Sequence, residues 1–117
     1  YDLGYRIASS MGAGGKLDPT KIRTADLMDT RECYLASLVR KRIRKMNVGK
    51  GIKAVFSLEK VKDESLILTD GSNFKKSAYG TISYLPAAFG GAVASIVIRD
   101  LLDEPIPMEK RLKAYKK

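Results

Sequence analysis

The chain has 117 residues, with 22 Lys and Arg against 13 Asp and Glu, a formal net charge of +9 and a pI near 9.7. That length holds one domain with a modest core, and the basic balance favours an anionic partner, nucleic acid above all, over a merely solvated basic surface. With no histidine and a single cysteine, Cys33, the chain excludes an internal disulfide framework, the usual Cys/His zinc sites and a complete Ser-His-Asp or Cys-His apparatus of its own.

Tyr1-Asp2-Leu3-Gly4 reads like the end of a helix with Gly4 as its C-cap, so the N-terminal half of a larger domain is expected to precede it. Tyr5 to Met11 predicts a strand. The cluster Gly12-Ala13-Gly14-Gly15 then permits positive φ and close approach of backbone or ligand. Gly12 and Gly14 have the spacing of the first two glycines of a dinucleotide fingerprint, but the third would fall at Leu17. Asp18-Pro19 also bars the smooth helix that must open there. Gly15-Lys16 lacks the Ser or Thr of a phosphate loop. The cluster is therefore a strand connection, which in its functional form lines a pocket.

From Lys16 to Ala25, Leu17, Ile22 and Thr24 alternate with Lys16, Lys21 and Arg23. This predicts a half-buried strand interrupted at Asp18-Pro19, either the partner of the first strand or the next one. Asp29, with Glu32 three residues on, has the spacing of a capping box. A helix starting there carries Cys33 in its first turn beside Arg31, and both the helix N-terminus and the cation lower a thiol pKa. Leu35, Leu38, Val39, Ile43 and Met46 recur on one helical face, with Arg40, Lys41, Arg44 and Lys45 off it. Asn47 and Gly49 end the helix. From Arg40 to Lys53 the basic residues run without an acid between them, as a track for nucleic-acid phosphates or as a solvated face.

Ile52 to Leu58 predicts a strand, Lys60 to Glu64 an exposed charged stretch, Leu66 to Leu68 a short strand and Asp70 to Asn73 a turn. Lys75 to Ser83 has no evident pattern. Pro86 suits a first helical position, and the helix runs to Leu102. Apolar on nearly all sides and too short in its uncharged run for a convincing membrane span, it predicts a central buried helix. Ala87, Gly91 and Ser95 form a small-residue strip along it that permits close approach of another backbone. Asp103-Glu104-Pro105 stops the helix. Residues 1–104 then form the domain, and 105–117 a basic tail that frays from Lys110 on.

The segments SSMGAGGKLDPTKIRTADL, KAVFSLEK and SYLPAAFGGAVASIVIRDLL, with the cysteine-containing helix after the first, occur in an order that resembles the C-terminal half of the ubiquitin-activating-like adenylating enzymes, the HesA/MoeB/ThiF superfamily. Within it the chain looks most like the tRNA threonylcarbamoyladenosine dehydratase branch. The resemblance covers Tyr1 to about Leu102. It implies an α/β fold, the C-terminal portion of a Rossmann-like adenylating domain, with a mixed sheet and a buried C-terminal helix. It further implies an ATP-dependent dehydration in which a threonylcarbamoyl carboxylate beside the tRNA anticodon is activated as an acyl-adenylate.

The family's nucleotide loop, its arginine and lysine phosphate contacts and its magnesium-holding aspartate precede the part represented here. ATP and magnesium are thus expected to be held by that N-terminal half, and this chain alone is expected to be inactive. tRNA is the implied partner, a homodimer the implied assembly and the cytoplasm the implied setting, with no membrane span. The sulfur-carrier branches carry paired CxxC zinc ligands, so one cysteine argues for the dehydratase branch and for no zinc. A sulfur-carrier adenylyltransferase and a non-catalytic basic RNA-binding module remain as alternatives. The pocket residues implied are Gly12, Gly14, Gly15, Asp18, Arg23 and Asp26, and the tRNA contacts Arg40, Lys41, Arg44, Lys45, Lys50 and Lys53. Cys33 is either a catalytic thiol or a small side chain packed near the site, since dehydration needs no thiol nucleophile. Asp18 beside Pro19 is equally a turn former.

Overall fold

The computed structural model describes residues 1–61, 66–68 and 77–111, with the backbone alone for 66–68 and 77–79. Three strands make the main sheet: β1 (Ile7–Ser10), β2 (Ile22–Asp26) and β3 (Ile52–Ser57), in the order β1-β3-β2. β1 runs parallel to β3, with Ile7 opposite Ile52 and Ser10 opposite Val55. β2 runs antiparallel to it, with Ile22 opposite Ser57 and Asp26 opposite Lys53. The sheet is mixed, and the strand expected from Lys16 to Ala25 is the next strand rather than the partner of the first. Two further short strands, β4 (Leu66–Leu68) and β5 (Ser77–Tyr79), pair antiparallel. β5 falls within the stretch that showed no sequence pattern. The turn expected at 70–73 lies outside the described residues.

β3 is central because its side chains are apolar on both faces. Successive strand residues point to opposite sides of a sheet, and here both sides are covered. Ile52, Ala54 and Phe56 join Met11, Ala25, Leu27 and Ala36 in one cluster, against which Val39 and Ile43 of α1 (Tyr34–Arg44) pack. Val55 joins Leu85, Phe89 and Ile96 of α2 (Tyr84–Leu101) in a second cluster. The sheet thus separates the two helices in an α/β/α layering.

α1 departs from its expected start. Asp29 ends a short 3-10 turn, Leu27–Asp29, capped by Asp26, and does not cap the helix. Glu32 sits at φ 57 in the left-handed region, so no helix runs through it. Cys33 is the N-cap instead: its Sγ accepts the Ala36 N–H at 3.4 Å. The buried face also differs. Ala36 and Arg40 are buried, whereas Leu35, Leu38 and Met46 are exposed. The Arg40 guanidinium fixes this rotation by donating to the main-chain carbonyl of Thr30 at 3.0 Å and to its hydroxyl.

α2 opens at Tyr84, which puts Pro86 third in the helix. No bond is lost, because the first four helical N–H groups have no intrahelical acceptor. The helix is not central: it buries Leu85, Phe89 and Ile96 and leaves Val97, Ile98 and Leu101 exposed. At Gly91 the Ala87, Gly91, Ser95 strip faces open space: a Cβ at Gly90 or Gly91 would find no atom within 4 Å, while Ser95 lines a cavity beside Ile22, Arg23 and Thr24. α2 is also the one helix among the described residues long and apolar enough to cross a membrane by length and composition. Asp103, at φ 56, closes it where the Asp103-Glu104-Pro105 stop was expected.

The chain beyond it does not leave the domain at once. Glu109 N–H donates to Thr24 carbonyl at 2.7 Å, a parallel bridge to the outer edge of β2. Residues 112–117 of the expected basic tail lie outside the described residues.

Candidate functional site

The glycine-rich turn and the start of α1 face one another across a cavity of about 220 Å³ lined by Gly12, Gly14, Lys16, Glu32, Cys33 and their neighbours. Gly15, at φ 74, turns the chain beneath it, and its N–H donates to Gly80 carbonyl at 2.8 Å. The left-handed φ is what requires glycine there. At Gly12 the reason is different: an added Cβ would come to 3.7 Å from Leu35 and 3.8 Å from the Cys33 sulfur, ordinary contact, so the missing side chain keeps open space.

Lys16 holds this cavity together. It is 2% exposed, and its ammonium donates to the main-chain carbonyls of Glu32, at 2.6 Å, and Glu59. Burial pushes its pKa below the usual lysine value, against the opposing influence of Cys33, Glu32 and Glu59. The Glu59 carboxylate clasps the same loop, accepting the N–H groups of Leu17 at 2.7 Å and Asp18 at 3.0 Å. Tyr84 at the head of α2 donates its hydroxyl to Leu17 carbonyl at 2.7 Å. The glycine turn, β3 and both helices therefore converge on Lys16-Leu17-Asp18.

Of the residues expected to line a pocket, Gly12 and Gly14 come together here, beside the candidate thiol Cys33, while Gly15 makes the turn and is not in the lining. Asp18, Arg23 and Asp26 do not. Asp18 caps the 3-10 turn Pro19–Lys21, and its two bonds from Thr20 lower its pKa. Arg23 donates to Thr20 and Ile22 carbonyls and lines a separate cavity beside Ser95 and Arg99. Asp26 accepts Met28 N–H at 2.9 Å and Gly51 N–H at 2.8 Å, which makes it a backbone anchor. Lys16 and Glu59 were not singled out from the sequence. Their partners are main-chain groups up to 43 positions away, and no local pattern marks them.

The basic residues separate as well. Arg40 is committed to Thr30, and Lys53 pairs with Asp100. Lys41, Arg44 and Lys45 are exposed, and Lys50 stands 3.8 Å from Asp29.

No family model matches the chain. It is 32% identical to tRNA threonylcarbamoyladenosine dehydratase 2 of Saccharomyces cerevisiae, over 98% of this chain and 30% of that protein. To the tRNA threonylcarbamoyladenosine dehydratase of Bacillus subtilis it is 31% identical, over 84% of this chain and 41% of that one. The chain thus spans less than half the length of these curated relatives. Among solved structures, it is similar to the E. coli tRNA N6-threonylcarbamoyladenosine dehydratase in complex with ATP, with a TM-score of 0.66 and 28% identity over 82% of this chain and 37% of that one. A complex of the E. coli enzyme with AMP matches at a TM-score of 0.64 and 29% identity, over 80% of this chain and 37% of that one. The chain is a homologue of the tRNA threonylcarbamoyladenosine dehydratases, a ThiF-type α/β fold that matches the C-terminal part of those enzymes.

Proposed function

We propose that this chain acts as the C-terminal part of an ATP-dependent tRNA threonylcarbamoyladenosine dehydratase. The observation that carries this is 32% identity to a protein of that name in an alignment covering 98% of the chain. The reaction is a loss of water from a modified adenosine. The threonylcarbamoyl carboxylate attacks the α-phosphate of ATP and releases pyrophosphate. The carbamoyl oxygen of the resulting acyl-adenylate then attacks the activated carbonyl carbon, closes the ring and expels AMP. Activation is needed because hydroxide is a poor leaving group and AMP a good one.

The contribution of this chain is positional. The Gly12–Gly15 turn presents backbone without bulk, and Lys16 and Glu59 fix that turn against the head of α1. A reacting group set in rigid surroundings forgoes the entropy cost of orientation at the moment of reaction. Among the described residues no group of three or more His, Cys, Asp and Glu is placed to hold a metal ion. In this reading magnesium and ATP are held mainly by the remainder of the enzyme. Exposed basic residues of α1, Lys41, Arg44 and Lys45, face outward for contact with tRNA phosphates. The reading includes a cytoplasmic, homodimeric enzyme.

The test is the product of the complete gene incubated with ATP, magnesium and tRNA carrying threonylcarbamoyladenosine, followed by mass spectrometry of the nucleosides. The expected result is loss of one water from the modified nucleoside, with AMP released in equal amount. Pyrophosphate release with AMP transferred to a protein C-terminus, and no change in the tRNA, would overturn the proposal in favour of sulfur-carrier activation.

A further inference from the structure

Arg23 and Arg99 meet at one cavity beside the outer edge of β2. That edge is marked by the Glu109 N–H, which donates to Thr24 carbonyl. Carbonyls two residues apart on a strand share an edge, so the Ile22 carbonyl points the same way. Arg23 donates to it at 2.9 Å and to Thr20 carbonyl at 2.8 Å. Its guanidinium is therefore held at the strand edge by its own neighbours. One nitrogen makes both bonds, and the rest of the planar fork has no acceptor among the described residues. Arg99, in the last turn of α2, is exposed and its side chain bonds to nothing among the described residues.

The cavity measures about 230 Å³, and no Asp or Glu lines it. Glu104 is the nearest acid in sequence to Arg99 and gives its N–H to the Arg99 carbonyl, but its carboxylate pairs with neither guanidinium among the described residues. The remaining walls are largely apolar, from Ile22, Ile96, Ile106 and Pro107. Cations beside an apolar wall call for an anion that carries a flat apolar body. A nucleotide has both parts: phosphate oxygens suit the arginine fork, and an unstacked base suits a guanidinium plane and an apolar surface. An acidic peptide brings the charge without the flat body. A duplex keeps its bases stacked inside and leaves the wall uncovered.

We propose that the cavity between Arg23 and Arg99 seats one unpaired nucleotide of the RNA substrate, its phosphate on Arg23 and its base between Arg99 and the Ile106-Pro107 wall. The site rests on the tRNA reading above and adds to it a specific place on the far side of the sheet from α1. Leu85, Phe89 and Ile96 of α2 pack on one face of β3, and Ala36 of α1 belongs to the cluster on the other. Charge removed at Arg99 therefore leaves Lys41, Arg44 and Lys45 as they are. Arg23 is preset by its two carbonyls and gives position, whereas Arg99 is uncommitted and closes over the base.

The test is fluorescence anisotropy of a labelled anticodon stem-loop RNA titrated with the product of the complete gene, without ATP, at several salt concentrations. Arg23→Gln is expected to reduce the slope of log affinity against log salt by about 0.7, the value for one phosphate contact on a single strand. Arg99→Lys keeps the charge but not the plane, so it is expected to weaken binding about tenfold with little change of slope. Arg6→Gln removes the same charge from an exposed position on β1's side of the sheet and is expected to change neither. A fully paired RNA of the same length is expected to bind the parent more weakly and to ignore Arg99→Lys. Circular dichroism separates lost binding from lost folding, and the exposed Arg99→Lys carries the test if Arg23→Gln does not fold.

An equal loss of slope in Arg6→Gln would mean diffuse charge and overturn the site, as would a parent that does not bind RNA. Paired RNA that binds as tightly as the stem-loop, or an Arg99→Lys variant as tight as the parent, would remove the unpaired base from the cavity and also overturn it. So would polyglutamate that displaces the RNA with the same dependence on Arg23 and Arg99, which would make the cavity a seat for an acidic protein surface. ATP turnover does not enter this assay. A failed cavity beside an active complete enzyme therefore sinks this site alone, whereas a sound cavity beside an enzyme that leaves the tRNA unchanged sinks the dehydratase reading.

Discussion

The ammonium of Lys16 donates to the main-chain carbonyl of Glu32 at 2.6 Å. Glu32 is the residue in left-handed conformation immediately before the cap of α1. One buried side chain of the glycine-rich turn thus sets where that helix begins. Its second bond, to Glu59, ties the same point to the exit of β3. Replacing Lys16 with methionine keeps the stem but removes both donated bonds. Each carbonyl left buried without a donor costs about 1–3 kcal/mol. The expected outcome is a lowered urea midpoint at neutral pH, with faster alkylation of Cys33 as the head of α1 loosens. A Lys16→Met variant as stable as the parent, with unchanged thiol reactivity, would refute the clamp.

The same lysine carries a pH signature. Burial holds its pKa in the folded chain below the 10.5 of an ordinary lysine. Between the two values the unfolded chain binds more protons than the folded one, so stability rises with pH across that window. The cost of burying the charge is fully present below the window and is relieved as pH climbs through it. Relative to Lys16→Met, which has nothing to titrate there, the parent is expected to gain stability as pH rises toward 10.5. Paired denaturation curves at neutral and alkaline pH measure this; a gap that narrows contradicts the burial of a charged Lys16.

At Cys33 the geometry is that of a cap, with Sγ accepting the Ala36 N–H. Serine is a preferred N-cap residue, and losing a cap to alanine costs roughly 0.5–2 kcal/mol. Cys33→Ser is therefore expected to match the parent in stability, and Cys33→Ala to fall below it. In the complete enzyme, a purely structural thiol predicts that Cys33→Ser retains dehydration. Loss of turnover in a stable Cys33→Ser enzyme would instead give the sulfur a chemical role.

What the sequence made legible followed from local pattern. The strand-forming run Ile52–Ser57, the apolar run of α2 and its Asp103-Glu104-Pro105 stop each depend on neighbours a few residues apart, and the structure has them. The errors arose where distant groups override local preference. The capping-box spacing at Asp29 and Glu32 was real in sequence, but Asp26 and Lys16 claim the backbone around it. Lys16 looked like an outward-facing strand residue because its two acceptors come from the α1 approach and the end of β3. α2 looked central because composition counts apolar residues without saying how many sides of the helix find a partner. In the candidate site, the glycines announced the turn, but nothing local announced the side chains that hold it.

Arg40 shows how far a single long-range partner shifts the interpretation of a basic run. Only 7% exposed, it supplies the donors that satisfy Thr30, whose hydroxyl in turn donates to Leu27 carbonyl at 2.7 Å. Both bonds come from one guanidinium nitrogen, so removing the charged head removes both at once. Arg40→Met is therefore expected to cost about 1–3 kcal/mol, in the range for losing a charged hydrogen bond in a buried place. The neighbouring exposed change Lys41→Gln should stay within about 0.5 kcal/mol of the parent. Urea midpoints for the two variants decide the matter, and equal effects would place Arg40 on the solvated face with Lys41.

Gly91 separates the chain from its assembly. Overpacking at this position would require a backbone close by, but a Cβ there meets open space. Glycine in a helix interior is about 1 kcal/mol less favourable than alanine. In the isolated chain, Gly91→Ala is accordingly expected to raise stability by up to that amount, and Gly91→Leu to raise it too, since leucine is the better helix former. The exposed Val97, Ile98 and Leu101 on the same helix make α2 a surface that a second copy would cover in the proposed homodimer. If it does so along Ala87, Gly91 and Ser95, Gly91→Leu in the complete enzyme overpacks that contact and costs about 1–3 kcal/mol. That loss grows on dilution, because a dimer's stability depends on protomer concentration. Thermal or urea midpoints of both forms at several protein concentrations test the pair of expectations. Destabilisation of the isolated chain by Gly91→Ala would refute the open environment at Gly91. A complete enzyme indifferent to Gly91→Leu at every concentration would remove this strip from the interface.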